Sequence, residues 1–256
     1  MTQVREIAGR TLLVTGANRG LGAALVEHAL ELGAGKVYAG VRDVSSLADR
    51  YAAHGDRVVP VTLDVTNDEQ VARAAETLTD VDILLSNAGV TYMVPLLEAT
   101  IEGARQTMET NYFGPLRLIK AFGPGLEARQ GALISILSLA ALVPAQGAEL
   151  YSASKAAGVM LGHAASLAFP SVAVSLCYPG LMDTEMMQSS ELPKTSPQEI
   201  ARNILSGWVA GEIAIFPDGH ARLLREEYVA RPTAILDQPY SIMTGALMKF
   251  LAAAEA

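Results

Sequence analysis

The sequence predicts an α/β chain: a doubly wound, seven-stranded, mostly parallel sheet with helices on both faces. Three observations carry that expectation. Short aliphatic and β-branched runs alternate with longer amphipathic stretches, the layout of repeated βαβ units. A glycine-rich turn falls between the first of these runs and the helix after it. The composition is 50% hydrophobic but only 5% aromatic, which suits small side chains packed between helices and a sheet buried on both faces.

Taken in order, strands are expected at Thr11–Thr15, Lys36–Gly40, Val58–Thr62, Ile83–Ser86, Ala132–Leu137, Val172–Cys177 and Ile213–Phe216, with helices in the intervals. Gly33 and Gly35 stop the first helix just before the second strand, giving a βαβ unit of about 30 residues. Thr66 with Glu69 reads as a capping box, and Ser196-Pro197 with Glu199 as a second helix start. No repeat, linker or low-complexity tract divides the chain, so residues 1–256 are expected to form one domain.

A formal charge of −8, from 27 acidic and 19 basic side chains, repels phosphate backbones and anionic lipid, which leaves small molecules as the expected partners. Cys177, the sole cysteine, has no intrachain disulfide partner, and Met1 to Arg10 lacks the apolar run of a signal peptide. The most apolar stretch, Ala132 to Ala145, is broken by Ser135 and Ser138 and falls short of the ~20 residues that span a bilayer. A cytoplasmic chain without membrane contact is the expectation. His28, His54, His163 and His220 show no ligand spacing, so no metal site is expected.

Thr15-Gly16-Ala17-Asn18-Arg19-Gly20-Leu21-Gly22 is the first chemical motif. Between a strand and a helix, Gly16 permits a sharp turn, Gly20 lets backbone approach a pyrophosphate and Gly22 lets the helix pack closely, with free amides aimed at the anion. This is a dinucleotide-binding, Rossmann-type signature. Tyr151-Ser152-Ala153-Ser154-Lys155 is the second. A phenol and an ammonium four positions apart share one helix face, and the cation favours the phenolate of a group that otherwise titrates near ~10. Ser138, at the carboxyl end of the fifth strand where ligands gather, is preferred over Ser135 as the hydroxyl that meets a substrate oxygen.

The glycine motif, Asn87-Ala88-Gly89, Asn111, Ser138, Tyr151, Lys155 and Pro179-Gly180 occur in the order found in the short-chain dehydrogenase/reductase family. The chain resembles that family over most of its length, in particular an NADP-preferring, carbonyl-reductase-like member. The resemblance implies that Asn87, Ala88 and Gly89 floor the cofactor crevice and that Asn111 joins Ser138, Tyr151 and Lys155 as catalytic machinery. It further implies that Asp64 and Val65 meet the adenine, and that Pro179, Gly180, Met182 and Thr184 flank the nicotinamide end. Without the resemblance, Asp64 also reads as a helix cap, Thr184 as a loop hydroxyl and Asn111 as the residue of a kinked helix. Ser86 departs from the family's usual asparagine, and the tail around 220–256 is unfamiliar. The resemblance implies a homodimer or homotetramer, with Trp208 or Phe250 of the divergent end altering one interface.

The second strand ends Gly40-Val41-Arg42-Asp43. With Val41 where an acid would hold a ribose hydroxyl, Arg42 and Arg19 are placed to meet a 2′-phosphate, which favours NADP(H). A strand end one or two residues later would put Asp43 on the ribose and favour NAD. The pocket wall is expected from Tyr92, Met93, Leu139, Leu142, Val143, Met182, Met186 and Met187, with Ser138, Met93, Leu139, Tyr151 and Met186 touching substrate. These apolar side chains also read as core. The expected reaction interconverts a hydrophobic ketone or aldehyde and its alcohol, with Tyr151 as acid/base. The alternatives are a ketoacyl-type reductase of thioester-linked substrates and a non-catalytic NADP-sensing regulator.

Overall fold

In the computed structural model, which describes residues 5–47, 50–184, 192–234 and 239–254, seven strands build one wholly parallel sheet. They are β1 (Thr11–Thr15), β2 (Lys36–Val41), β3 (Val58–Thr62), β4 (Ile83–Ser86), β5 (Ala132–Ile136), β6 (Ala173–Cys177) and β7 (Ala214–Ile215). Their order is β3-β2-β1-β4-β5-β6-β7. The chain therefore winds outward from β1 to one edge, then returns to β4 and builds the other half. Between β1 and β4 the winding reverses, and a crevice opens at their carboxyl ends.

Alternation along each strand sends side chains to two separate cores. Leu12, Val14, Ile83, Leu85 and Ile134 face one layer, while Leu13, Leu84, Leu133 and Leu176 face the other. The first layer is closed by α1 (Gly20–Glu31) and α6 (Pro197–Val209), through Leu25, Ala29, Ile200, Ile204 and Leu205. The second is closed by α2 (Asp68–Thr77), α4 (Gly114–Arg129), α5 (Glu149–Ala168) and the C-terminal pair α7 (Gly219–Ala230) and α8 (Pro239–Ala254). Leu84 is fully buried, and truncating such a leucine to alanine costs about 2–5 kcal/mol.

Some expectations change in detail. The cap of α2 is Asn67, whose side chain accepts from the Gln70 amide, not Thr66 with Glu69; Thr66 instead donates to Asp64. Asn67 has the extended backbone of a cap, while the Thr66 hydroxyl is engaged with Asp64. Ser196 does cap α6, accepting from Glu199 N at 3.2 Å. Among its described residues the unfamiliar tail forms two helices that join the second core layer, with Leu224, Ile242 and Ala246 buried. Trp208 is only 4% exposed inside the first core layer, and half-buried Phe250 stacks on His220.

After α3 (Ile101–Met108) the chain makes a π-helical turn over Glu109–Phe113 before α4 begins. Among the described residues no helix is long and apolar enough to cross a membrane.

Candidate active site

The crevice floor is a lattice of backbone and small polar side chains. Gly16 adopts φ +69° and Gly20 φ +53°, left-handed values that favour glycine. A Cβ on Gly22 would lie 2.0 Å from the Gly16 carbonyl oxygen, and one on Gly16 would meet Ala88 Cα at 3.2 Å. The N-terminus of α1 has no side-chain cap, which leaves its first amides for an anion. Thr15 Oγ1 accepts from both Asn87 N and Ala88 N at 3.0 Å. Asn87 Nδ2 returns a bond to the Thr15 carbonyl at 2.8 Å. These bonds clamp the end of β1 to the end of β4. Tyr51, buried, donates to the Ala17 carbonyl at 2.6 Å and holds the loop from outside. Sequence reasoning missed Tyr51, because a contact made from 34 positions away leaves no local pattern.

Ser138, Tyr151 and Lys155 meet at the same end of the sheet. Ser138 follows β5, and its Oγ accepts from Ala140 N at 3.2 Å, with the Tyr151 phenol near enough to feel the Ser138 hydroxyl. One helical turn on, Lys155 is 6% exposed, with Nζ 5.8 Å from the Tyr151 ring centroid. It donates to the Ile136 carbonyl at 3.1 Å, which leaves other ammonium protons for the cleft it lines. Asn111 sits in the π-helical turn, with Oδ1 accepting from Val90 N at 2.9 Å and Nδ2 donating to Val90 O at 2.9 Å. Nδ2 also reaches Ser154 Oγ at 3.0 Å, and Ser154 in turn donates to the Tyr151 carbonyl at 2.6 Å. Ser154, fully buried, is a second residue that sequence reasoning missed; its place within the Tyr-to-Lys segment was the available signal.

Electrostatics separate the two titrating groups. Burial pushes the Tyr151 phenol up, and the Ser138 hydroxyl only partly opposes this. The phenol is therefore protonated at neutral pH. The same burial pulls Lys155 down to about 8. The folded chain thus binds its lysine proton more weakly than the unfolded chain does. Stability lost to this burial below pH 8 is regained as pH rises toward 10.5. Lys155→Met is expected to raise stability at pH 7 by on the order of 3 kcal/mol, or roughly 5–10 °C in Tm, and to flatten the gain above pH 8. Calorimetry of both proteins at pH 7 and 10 checks this; equal Tm values at pH 7 would sink it.

At the far rim, Arg42 and Asp43 follow β2, both exposed. The Asp43 carboxylate accepts from Ser45 N at 2.9 Å and Ser45 Oγ at 2.7 Å, which holds it below its ordinary range and engages it in its own turn. Arg42 and Arg19 line the cleft together with Arg50. Asp64 Oδ1 accepts from Thr66 N at 2.9 Å, so the carboxylate organises the entry to α2 while lining the cleft beside buried Val65. Pro179, Gly180, Met182 and Thr184 lie on the opposite side, and a Cβ on Gly20 would meet Thr184 Cγ2 at 3.3 Å.

Of the expected wall, Met93, at 54% exposed, and buried Leu139 line the cleft, as does Met182. Met186 and Met187 lie outside the described residues. Tyr92, Leu142 and Val143 do not line it. Tyr92 instead accepts from Thr100 N at 3.1 Å at the start of α3, and Leu142 and Val143 pack into the second core layer. Missed wall residues include Leu192, His220, Met243 and Leu247, most of them from the C-terminal helices.

A doubly wound parallel sheet with an anion-ready glycine loop and a hydroxyl–phenol–ammonium group at its switch point defines a dinucleotide-dependent oxidoreductase. The family model for short chain dehydrogenases matches residues 10–194, and the chain belongs to that family. The 1-deoxy-11-beta-hydroxypentalenate dehydrogenase of Streptomyces exfoliatus is 34% identical over 240 residues, 86% of this chain and 87% of that protein. Human retinol dehydrogenase 8 is 31% identical over 213 residues, 75% of this chain and 68% of that protein. A short chain dehydrogenase from Burkholderia cenocepacia, solved in complex with NADP, is similar with TM-score 0.84 and 42% identity, covering 90% of this chain and 96% of that one.

Proposed function

We propose that the chain, acting as one catalytic unit, interconverts a hydrophobic ketone or aldehyde and its alcohol using NADP(H), with Tyr151 as the acid/base. The carrying observation is the meeting of Ser138, Tyr151 and Lys155 in one cleft, with Asn111 tied beneath them through Ser154. The cleft encloses about 2250 Å³, roughly twice the upper end of single small-molecule sites, so a dinucleotide and a substrate fit together.

The residues present fit the dinucleotide. Gly16, Asn18, Arg19, Gly20, Leu21 and Gly22 form a cradle whose closeness to the helix leaves no room for a Cβ at position 22, which would lie 2.0 Å from Gly16 O. Bound NADPH supplies hydride to the carbonyl carbon. Ser138 holds the carbonyl oxygen by a hydrogen bond, and Tyr151, kept protonated by burial, gives that oxygen its proton. Lys155 would hold the ribose hydroxyls of the bound dinucleotide and, 5.8 Å from the Tyr151 ring centroid, stabilise the phenolate left behind. Asn111 fixes the helix that carries both.

Preference for the phosphorylated dinucleotide is supported by Arg42 and Arg19 at the rim, by engagement of Asp43 with Ser45 and by NADP in the Burkholderia relative. Arg42→Ala is expected to raise KM for NADPH about 30-fold while leaving KM for NADH within about twofold. Initial rates with both cofactors check this, and parallel changes in the two constants would reject the arginine's role.

Hydroxypentalenate and retinol, the substrates for which two relatives are named, are alcohols, which supports the carbonyl/alcohol pair. A carrier-linked thioester substrate is the second reading; Lys194, a cation it would use near the entrance, lies 3.9 Å from Asp183. Met160 and Leu167, exposed on α5, support assembly as a homodimer or homotetramer. The test is NADPH absorbance decay across a panel of hydrophobic ketones and aldehydes. Turnover sustains the proposal, whereas tight NADPH binding without turnover on any of them favours an NADP-sensing role.

A further inference from the structure

We infer that His220 binds a second, uncharged oxygen of the substrate, distinct from the one Tyr151 protonates, and so selects substrates that carry one. The inference rests on the carbonyl/alcohol reading above and adds a specificity residue to it.

His220 opens α7 and is 5% exposed. Both ring nitrogens are buried without a hydrogen-bond partner among the described residues, although buried polar groups in folded proteins are almost always paired. His220 is among the residues that line the cleft. One face stacks on Phe250, with centroids 5.4 Å apart and planes 23° off parallel, so the imidazole is held in place. Asp218 accepts from Gly180 N at 2.7 Å with one carboxylate oxygen and from Ala221 N at 2.9 Å with the other, which fixes the loop and the helix start, and no hydrogen bond joins it to the imidazole.

Its position is next to the chemistry. Nδ1 would lie 3.3 Å from a Cβ on Gly180, and the adjacent Pro179 carbonyl accepts from Leu139 N at 3.0 Å, one residue from Ser138. Around it the wall is mostly apolar, with Leu181, Met182, Met243 and Leu247. An oriented polar group in an apolar wall is how a pocket rejects molecules that lack the matching oxygen. Burial pulls the imidazole's pKa down, so at neutral pH one nitrogen donates and the other accepts. That suits a hydroxyl or carbonyl better than a carboxylate.

The test compares 4-phenyl-2-butanone with its 2-, 3- and 4-hydroxyphenyl counterparts, using wild type, His220→Phe and His220→Gln, by NADPH oxidation. Wild type is expected to favour at least one hydroxylated ketone by about tenfold in kcat/KM, through KM, because a buried hydrogen bond is gained. His220→Phe loses that preference while its constants for the hydroxyl-free ketone and its NADPH affinity stay within about twofold. His220→Gln, whose amide both donates and accepts, keeps part of it. A preference that survives in His220→Phe, no preference in wild type, or an equal loss on all four ketones overturns the inference. Lack of wild-type turnover on all four removes the oxidoreductase reading, and the inference with it; turnover of the hydroxyl-free ketone alone leaves that reading intact and rejects His220.

Discussion

Replacing Tyr151 with phenylalanine is expected to lower kcat about a thousandfold while leaving NADPH affinity within about twofold, the range for loss of a positioned proton donor. The variant keeps the ring, its packing 5.8 Å from Lys155 Nζ and the Ser154 anchor on the backbone carbonyl. It removes only the hydroxyl that meets Ser138. Ser138 still orients the carbonyl, so substrate binding persists and the loss falls on kcat. Single-turnover kinetics with a fluorescence titration of NADPH separate the two quantities. A fall in kcat of less than about tenfold would show that the proton comes from elsewhere.

Gly22→Ala is expected to weaken NADPH binding by about a hundredfold or more. The added carbon would sit 2.0 Å from Gly16 O and 2.8 Å from Gly16 C, both backbone atoms, and 2.7 Å from Asn87 Nδ2. None of these yields cheaply. Gly16 is tied to the Gly40 carbonyl at 2.8 Å, and Asn87 joins β1 to β4 through Thr15. Relief must come from moving the loop off the helix, which dismantles the cradle. Gly125→Ala in α4, where a Cβ meets nothing within 4 Å, is the control and is expected to stabilise by about 0.5–1 kcal/mol. Calorimetric titration of both variants decides the matter; wild-type affinity in Gly22→Ala would mean that this loop does not hold the pyrophosphate.

The strands were readable because a sheet covered on both faces turns each one into an unbroken apolar run. β1, β3 and β4 have the expected ends, and β2, β5 and β6 differ by one residue. β7, an edge strand of only Ala214–Ile215, had less to show. Asn67 and Thr66 illustrate a different limit: two neighbouring residues were both good caps, and only the fold shows that Asn67 takes the Gln70 amide while Thr66 turns to Asp64. In the site, Gly22, Ser138, Tyr151 and Lys155 were legible because their chemistry fixes their spacing. Tyr51 and His220 were not, since each acts through folding over a long sequence distance. Tyr92, Leu142 and Val143 went astray for a related reason, as hydrophobicity does not say which side of a loop a residue faces.

The π-helical turn at Glu109–Phe113 amounts to an insertion written into a helix. One residue advances an α-helix by about 100°, so α3 and α4 run out of phase across the turn, and the mismatch carries Asn111 to Ser154. Deleting a single residue there would let the helix run straight and regain its regular bonding, at the expense of rotating Asn111 away from the helix that bears Tyr151 and Lys155. The register of the chain at that point therefore changes only in whole residues, and no substitution by itself reaches the straight alternative.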